Sequence, residues 1–238
     1  MRFKALSDKG NKRSGNEDNF FIKEDLKFFM VADGMGGHAA GEVASQTAVD
    51  SAADFNFDLA APLESLSSLT YQINQEIINK SQNNDEYRGM GTTFAAVIVL
   101  ADTLYYVNLG DSRIYLYNKK EQNLRKISKD HSLVADLLRQ GKISAEEAFN
   151  HPKKNIVTQA LGLDNDLDLD EGQLKLSSDD YLLLCTDGLT DMIRKNKIEE
   201  VFNENDQPDI IAERLLQEAL KSGGFDNITL IVADYNEK

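Results

Sequence analysis

Apolar residues along this chain alternate between two spacings. Nearly every position is apolar at 28–31, 94–101, 181–185 and 228–233. Runs this short, bounded by Gly and Asp and rich in β-branched and aromatic side chains, read as strands covered on both faces. Further strands are expected at 3–7, 19–23, 103–109 and 114–117. The turns between 92–100, 103–109 and 114–117 are only a few residues long, so these strands are expected to pair antiparallel, with Gly110-Asp111-Ser112-Arg113 opening a hairpin. Elsewhere the period lengthens. Val43, Ala44, Thr47 and Ala48; Leu63, Leu66, Leu69, Ile73 and Ile77; Ile198, Val201 and Phe202; and Ile210, Ile211, Leu215, Leu216, Ala219 and Leu220 recur at helical spacing, with Gly223-Gly224 ending the last stripe. Two short helices at 132–140 and 144–149 interrupt the strands, the second opened by the Ser144 and Glu147 pair of a capping box. As a lid or as a buttress, this insertion of about 130–156 stands apart from the strand succession.

No Pro- or Ser-rich spacer divides the 238 residues, so one domain over 1–238 is expected. The apolar run at 94–101 stops at Asp102, well short of the ~20 residues of a membrane helix, and no apolar segment follows the basic residues near Met1. The expectation is a cytoplasmic protein without membrane insertion. The single cysteine, Cys185, allows no intrachain disulfide and reads as a small core residue. A formal net charge of −14 argues against a nucleic-acid partner.

Chemistry concentrates where apolar runs end in acids. In Val31-Ala32-Asp33-Gly34-Met35-Gly36-Gly37-His38 a buried strand delivers a carboxylate among glycines that let backbone carbonyls approach a ligand; a surface turn is the plain alternative. Asp111 and Asp187 repeat the layout, and Asp18 and Asp226 flank other strands. Several carboxylates brought together repel unless a cation lies among them, and an all-oxygen donor set selects Mg2+ or Mn2+. Two such ions ~3.5–4 Å apart deprotonate a water and stabilise a displaced phosphate ester. Arg13, four and five residues before Glu17 and Asp18, is a cation able to fork onto phosphoryl oxygens; alone, it is a residue of a charged loop. The acid-rich 164–171 stretch lacks the mid-loop glycine of an EF-hand and reads as exposed surface.

Six stretches, in order, resemble the metal-dependent protein serine/threonine phosphatase family (PPM, type 2C) in its compact bacterial form: Arg13 to Asp18, Val31 to His38, Gly91-Thr92-Thr93, Gly110 to Arg113, Thr186-Asp187-Gly188-Leu189 and Gly224 to Thr229. The resemblance implies an α+β fold of two central antiparallel sheets packed as a sandwich, with helix pairs on both sides and the insertion as a flap. It implies two Mg2+ or Mn2+ ions, bridged by Asp33 and completed by the Gly34 carbonyl, Asp187 and Asp226, with Glu17 and Asp18 holding metal-bound waters and Arg13 orienting the phosphoryl group. A third ion, bound in many bacterial relatives, would use Asp111 with Asp187, beside Asn155 of the flap. Met35 stands where many eukaryotic members carry a candidate acid, which leaves His38 as proton donor or as a polar residue at a helix start.

The implied reaction is hydrolysis of phosphoserine and phosphothreonine in proteins by a metal-bridging hydroxide, without a phospho-enzyme, opposing a bacterial Ser/Thr kinase. Phosphorylated proteins, the kinase included, are the expected partners of a monomer. A phosphodiesterase or nuclease on the same ions and a catalytically dead phospho-binding module are the competing readings; the first lacks a basic track, and the second usually lacks a ligand that is present here.

Overall fold

The computed structural model describes residues 1–36 and 40–235. Its strands form two sheets. One contains, in spatial order, β1 (Phe3–Asp8), β11 (Ile228–Tyr235), β10 (Asp180–Cys185), β7 (Arg113–Asn118) and β8 (Asn123–Lys126). The other runs β2 (Asp18–Lys23), β3 (Phe28–Met35), β5 (Phe94–Leu100), β6 (Thr103–Leu109) and β9 (Asp170–Lys175), with β4 (Gly91–Thr92) also paired to β3. Every pairing is antiparallel.

The doubly apolar strands explain the layering. Side chains alternate across a strand, so each such strand feeds two cores. Phe29 and Val31, Ala95 and Val97, Leu182 and Leu184, and Ile231 and Ala233 point into one core between the sheets. Their neighbours Phe28, Met30, Phe94, Ala96 and Ile98 pack instead with Leu66, Leu69, Ile73 and Ile77 of α2 (Pro62–Asn83) and Ala44 and Ala48 of α1 (Ala40–Asp54). On the other outer face Leu183, Leu230 and Val232 meet Ile211 and Leu215 of α7 (Pro208–Lys221) and Val201 and Phe202 of α6 (Lys195–Glu204). Burying each large side chain contributes about 1.5–3 kcal/mol, which fixes the register, because a one-residue slip would exchange the cores. Cys185 belongs to the third core, and burial pushes its thiol up to about 12. Among the described residues no helix is long and apolar enough to cross a membrane.

Two expectations are corrected. The Gly110–Arg113 turn opens no hairpin: β6 pairs with β5 and β9 while β7 pairs with β10 and β8, so this turn carries the chain from one sheet to the other. The acidic 164–171 segment is exposed at 164–166, but Leu167 and Asp170 are buried and Asp170 begins β9. Asp170 is drawn in because its Oδ2 accepts the Lys129 backbone N–H at 2.7 Å. The flap contains α3 (Leu133–Arg139) and α4 (Ala145–Phe149), and the Ser144–Glu147 capping box is formed in both directions.

Candidate metal centre

Strand register brings the acids to one end of the sandwich. Cys185 pairs with both Leu230 and Arg113, so Asp187 just after β10, Asp226 just before β11 and Asp111 just before β7 all leave the same end of the first sheet. In the second sheet Asp18 and Asp33 are direct cross-strand partners, opening β2 and near the close of β3. Like charges facing each other on neighbouring strands are destabilising, so a sequence that places them there does so for something other than stability.

Local hydrogen bonds hold the backbone around them. The Asp33 N–H donates to Thr93 Oγ1 at 2.9 Å, and Thr93 shares a hydrogen bond with Ser112 at 2.7 Å, joining the second sheet to the Asp111 turn. Thr186 Oγ1 donates to Asp18 Oδ2 at 2.8 Å and accepts the Thr229 N–H at 3.0 Å, tying the sheets together beside Asp187. Asn227 Oδ1 accepts the Glu17 N–H at 2.8 Å while its Nδ2 donates to Lys9 O and Gly15 O, which folds the Arg13 loop over Asp226. Glycine is required where backbones approach closely, as at Gly34 and Gly10. A Cβ on Gly34 would lie 2.1 Å from Gly41 O and 2.5 Å from Glu17 O, and one on Gly10, at φ +73°, would lie 2.1 Å from Asp226 O.

The electrostatics follow from this crowding. Burial raises the Asp18 carboxyl to about 7, against hydrogen bonds from Thr186 and Thr229 and with a further push from Asp226. Burial, then the charges of Asp18, Asp187, Asp111 and Asp226, hold Asp33 well above the usual carboxylate range. Asp187 is raised in the same sense by burial, Asp111, Asp191 and Asp226. Asp111 is pushed to about 7 by burial, with Arg113 opposing. Glu17 is raised by burial against the pull of Arg13. By surface exposure Asp18 and Asp111 are buried, at 4 % and 5 %, whereas Asp33, Asp187 and Asp226 are partly open to solvent.

Whether a divalent cation suits this arrangement can be judged from the donors. Asp18 Oδ1 and Asp187 Oδ1 are buried and have no hydrogen-bond partner among the described residues, a state that is expensive for a carboxylate oxygen. Among the described residues no three His, Cys, Asp or Glu side chains are drawn into one ready-made coordination shell. Burial first, and then the charges of the neighbouring acids, hold these carboxyls up, and hard oxygen donors with unmet demand fit Mg2+ or Mn2+.

Arg13 is half exposed at the rim, its Nη2 2.8 Å from Asp226 Oδ2. His38 lies outside the described residues. Asn155 is exposed and makes no hydrogen bond among the described residues; its neighbour Lys154 reaches across from the flap, 2.8 Å from Asp191 Oδ2. Asp191 was not singled out in the sequence, although its spacing of four from Asp187, across α5 (Asp187–Thr190), puts both acids on one helical face. Thr93, Thr186 and Asn227 were missed as well, because a hydroxyl or amide inside a motif gives no sign of which backbone it will hold.

A family model described as protein phosphatase 2C matches residues 11–221. The chain is 38% identical over 243 residues to serine/threonine phosphatase stp of Listeria monocytogenes, covering 98% of this chain and 96% of that protein. The crystal structure of the Mycobacterium tuberculosis serine/threonine phosphatase PstP/Ppp superposes with a TM-score of 0.92 at 34% identity, over 99% of each chain. The catalytic domain of PstP in complex with two manganese ions is similar at a TM-score of 0.89 and 34% identity, over 99% of this chain and 98% of that one. With that match along the chain and the acids gathered at the sandwich end, this protein belongs to the protein phosphatase 2C family.

Proposed function

We propose that this protein hydrolyses phosphoserine and phosphothreonine in other proteins, using two divalent cations held by Asp33, the Gly34 carbonyl, Asp187 and Asp226, with Glu17 and Asp18 acting on their waters. The observation that carries the reading is the pair of unpartnered buried oxygens, Asp18 Oδ1 and Asp187 Oδ1, in a cluster of five mutually repelling aspartates. Divalent ions held there supply a nucleophilic water at neutral pH and stabilise charge on the phosphoryl group. The chain's own residues orient the reactants. The Arg13 guanidinium, at the rim and already paired to Asp226, presents its remaining N–H donors to the phosphoryl oxygens, so that phosphorus faces the acids. Thr93 and Thr186 fix the Asp33 backbone and the Asp18 carboxyl, which keeps both from following the substrate. Water then displaces the seryl or threonyl oxygen directly, and the P–O bond to the protein breaks without a phospho-enzyme. Asp111, with Asp187 and Asp191, is the place for a third ion against the flap.

The reading extends to a cytoplasmic monomer that opposes a Ser/Thr kinase; the bacterial relatives to which the chain is similar support its phosphatase part. The test is Mn2+-dependent phosphate release from a phosphothreonine peptide by wild type and Asp33→Asn. Loss in the variant supports the assignment. Faster turnover of a phosphate diester than of the peptide would favour the diesterase instead, and peptide binding without release a binding module.

A further inference from the structure

The flap leaves the body through a neck of two chain segments, and one residue of that neck grips the turn that carries Asp111. Ser132 bridges Val157, the Leu133 N–H donates to Ile156 O at 2.9 Å, and the Thr158 N–H donates to His131 O at 2.8 Å. On the way in, Lys129 and Asp130 have ties of their own: the Lys129 N–H donates to Asp170, Lys129 O accepts from Asn108 Nδ2, and Asp130 pairs with Arg113 and Lys126. His131 comes next and is buried. Its N–H donates to Gly110 O at 2.9 Å and its imidazole Nδ1 accepts the Gly110 N–H at 3.1 Å, so both polar backbone groups of Gly110 meet this one residue. Accepting at Nδ1 places the ring proton on Nε2. Burial holds the imidazole below its ordinary value, which keeps the accepting lone pair free. On its other side Gly110 lies against Thr93, so closely that a Cβ would stand 2.6 Å from the threonine Cγ2.

Both legs of the neck end on Asp33. From His131 the entry leg passes through Gly110 to Asp111 and Ser112, whose hydroxyl is bonded to Thr93, the acceptor of the Asp33 N–H. On the exit leg Leu161 and Thr92 exchange backbone hydrogen bonds, and Thr92 Oγ1 donates to Asp33 O at 2.9 Å. The exit leg is main chain down to Thr92, whereas the entry leg takes half of its grip on Gly110 from one imidazole. We propose that His131 is a positioning residue for the hydrolysis proposed above: by holding Gly110 at both backbone groups it fixes Asp111 and Asp33 relative to the base of the flap. It acts through Gly110 rather than on the reacting atoms. Without the acceptor the Gly110 N–H is buried and unpaired, and the turn regains a partner only by rotating, which carries Asp111 with it. Residues that orient ligating groups without touching the ion are worth roughly 10–100-fold in metal affinity or activity.

Substitutions of His131 separate the acceptor from the bulk. His131→Phe keeps a ring and has no acceptor, His131→Asn can place Oδ1 where Nδ1 stands, and His131→Gln carries its acceptor one bond farther out. In His131→Phe and His131→Gln, Mn2+ affinity by calorimetry and kcat for a phosphothreonine peptide should each fall roughly 10–100-fold, with KM within about twofold and His131→Asn close to wild type. Ile211→Ala, in the core under α7, is the control for lost stability: its Tm should drop with Mn2+ affinity unchanged. In the wild type, proton–nitrogen NMR of the ring at neutral pH in chelator should show the proton on Nε2 and none on Nδ1. A proton on Nδ1, Mn2+ affinity and kcat kept within about twofold in a folded His131→Phe or His131→Gln, His131→Asn as impaired as His131→Phe, or an equal loss of Mn2+ affinity in Ile211→Ala overturns the proposal. Should His131→Phe not fold, His131→Gln and the ring spectrum decide. The kinetic measurement rests on the hydrolytic reading: a wild type that releases no phosphate overturns that reading, while calorimetry and the ring spectrum still judge whether His131 places the acids.

Discussion

Neutralising Asp18 should stabilise the metal-free protein, and more so as pH rises. Its carboxyl goes from an ordinary 3.8 to about 7 in the fold because of burial, at 4 % exposure. The native state therefore holds a proton between those values that the unfolded chain has lost, so stability falls as pH climbs from about 4 through about 7. At about 1.4 kcal/mol per pH unit, the penalty reaches about 4 kcal/mol above pH 7 and is about 1–2 kcal/mol at pH 5. In Asp18→Asn the amide oxygen can still accept from Thr186 Oγ1, and the amide nitrogen brings donors beside Asp33, its cross-strand partner. The advantage of the variant should thus widen by about 2–3 kcal/mol between about pH 5 and 8, which for a chain of this length is about 5–10 °C in Tm. The assay is thermal unfolding of both proteins in chelator across that range. Comparing them at each pH cancels His131, whose imidazole burial keeps below its ordinary value and which penalises the fold in the opposite direction, as acid protonates it. Added Mn2+ should reverse the order, stabilising wild type more than the variant. A constant or shrinking difference, or a variant less stable than wild type at pH 8, would refute the premise that Asp18 is held in the fold against its own charge.

Replacing Arg13 by Ala should lower kcat/KM for both a phosphopeptide and a small aryl phosphate by about 10–100-fold, as loss of a charged fork on the phosphoryl group predicts; unchanged kinetics would remove it from the site. Gly34→Ala should destabilise by several kcal/mol, about 3 or more, because its Cβ would lie 2.1 Å from Gly41 O; a melt within 2 °C of wild type would mean the strand yields easily. Thr93→Val leaves the Asp33 N–H and Ser112 hydroxyl without their shared partner and should cost about 1–3 kcal/mol in chemical denaturation, with a fall in turnover as Asp33 loosens; stability equal to wild type would show that water replaces the hydroxyl.

That the strands 28–31, 94–101, 181–185 and 228–233 are covered on both faces was legible in the sequence, because they are apolar on both faces; that the cover is a second sheet on one side and helices on the other followed only from the family resemblance. The acids were legible for the same reason, each standing where such a run stops. What escaped was β8, with Leu124 its single buried side chain, and β9, a polar edge strand with little apolar alternation. Their place is set by pairing with β7 and β6, and pairing leaves no local trace. The sheet change at Gly110–Arg113 was hidden likewise, since a tight turn between two strands looks the same whether they pair or part. Arg13 with Asp226 and Lys154 with Asp191 are contacts between distant segments, and only the folded chain reveals them.

Anomalous diffraction at the manganese edge, from crystals grown with Mn2+, tests the metal assignment without reference to turnover. Strong peaks flanking Asp33, one reached by Asp187 and Asp226, are the predicted result, with the peaks lost in Asp33→Asn. Manganese bound away from these carboxylates, or the same peaks in the variant, would contradict it.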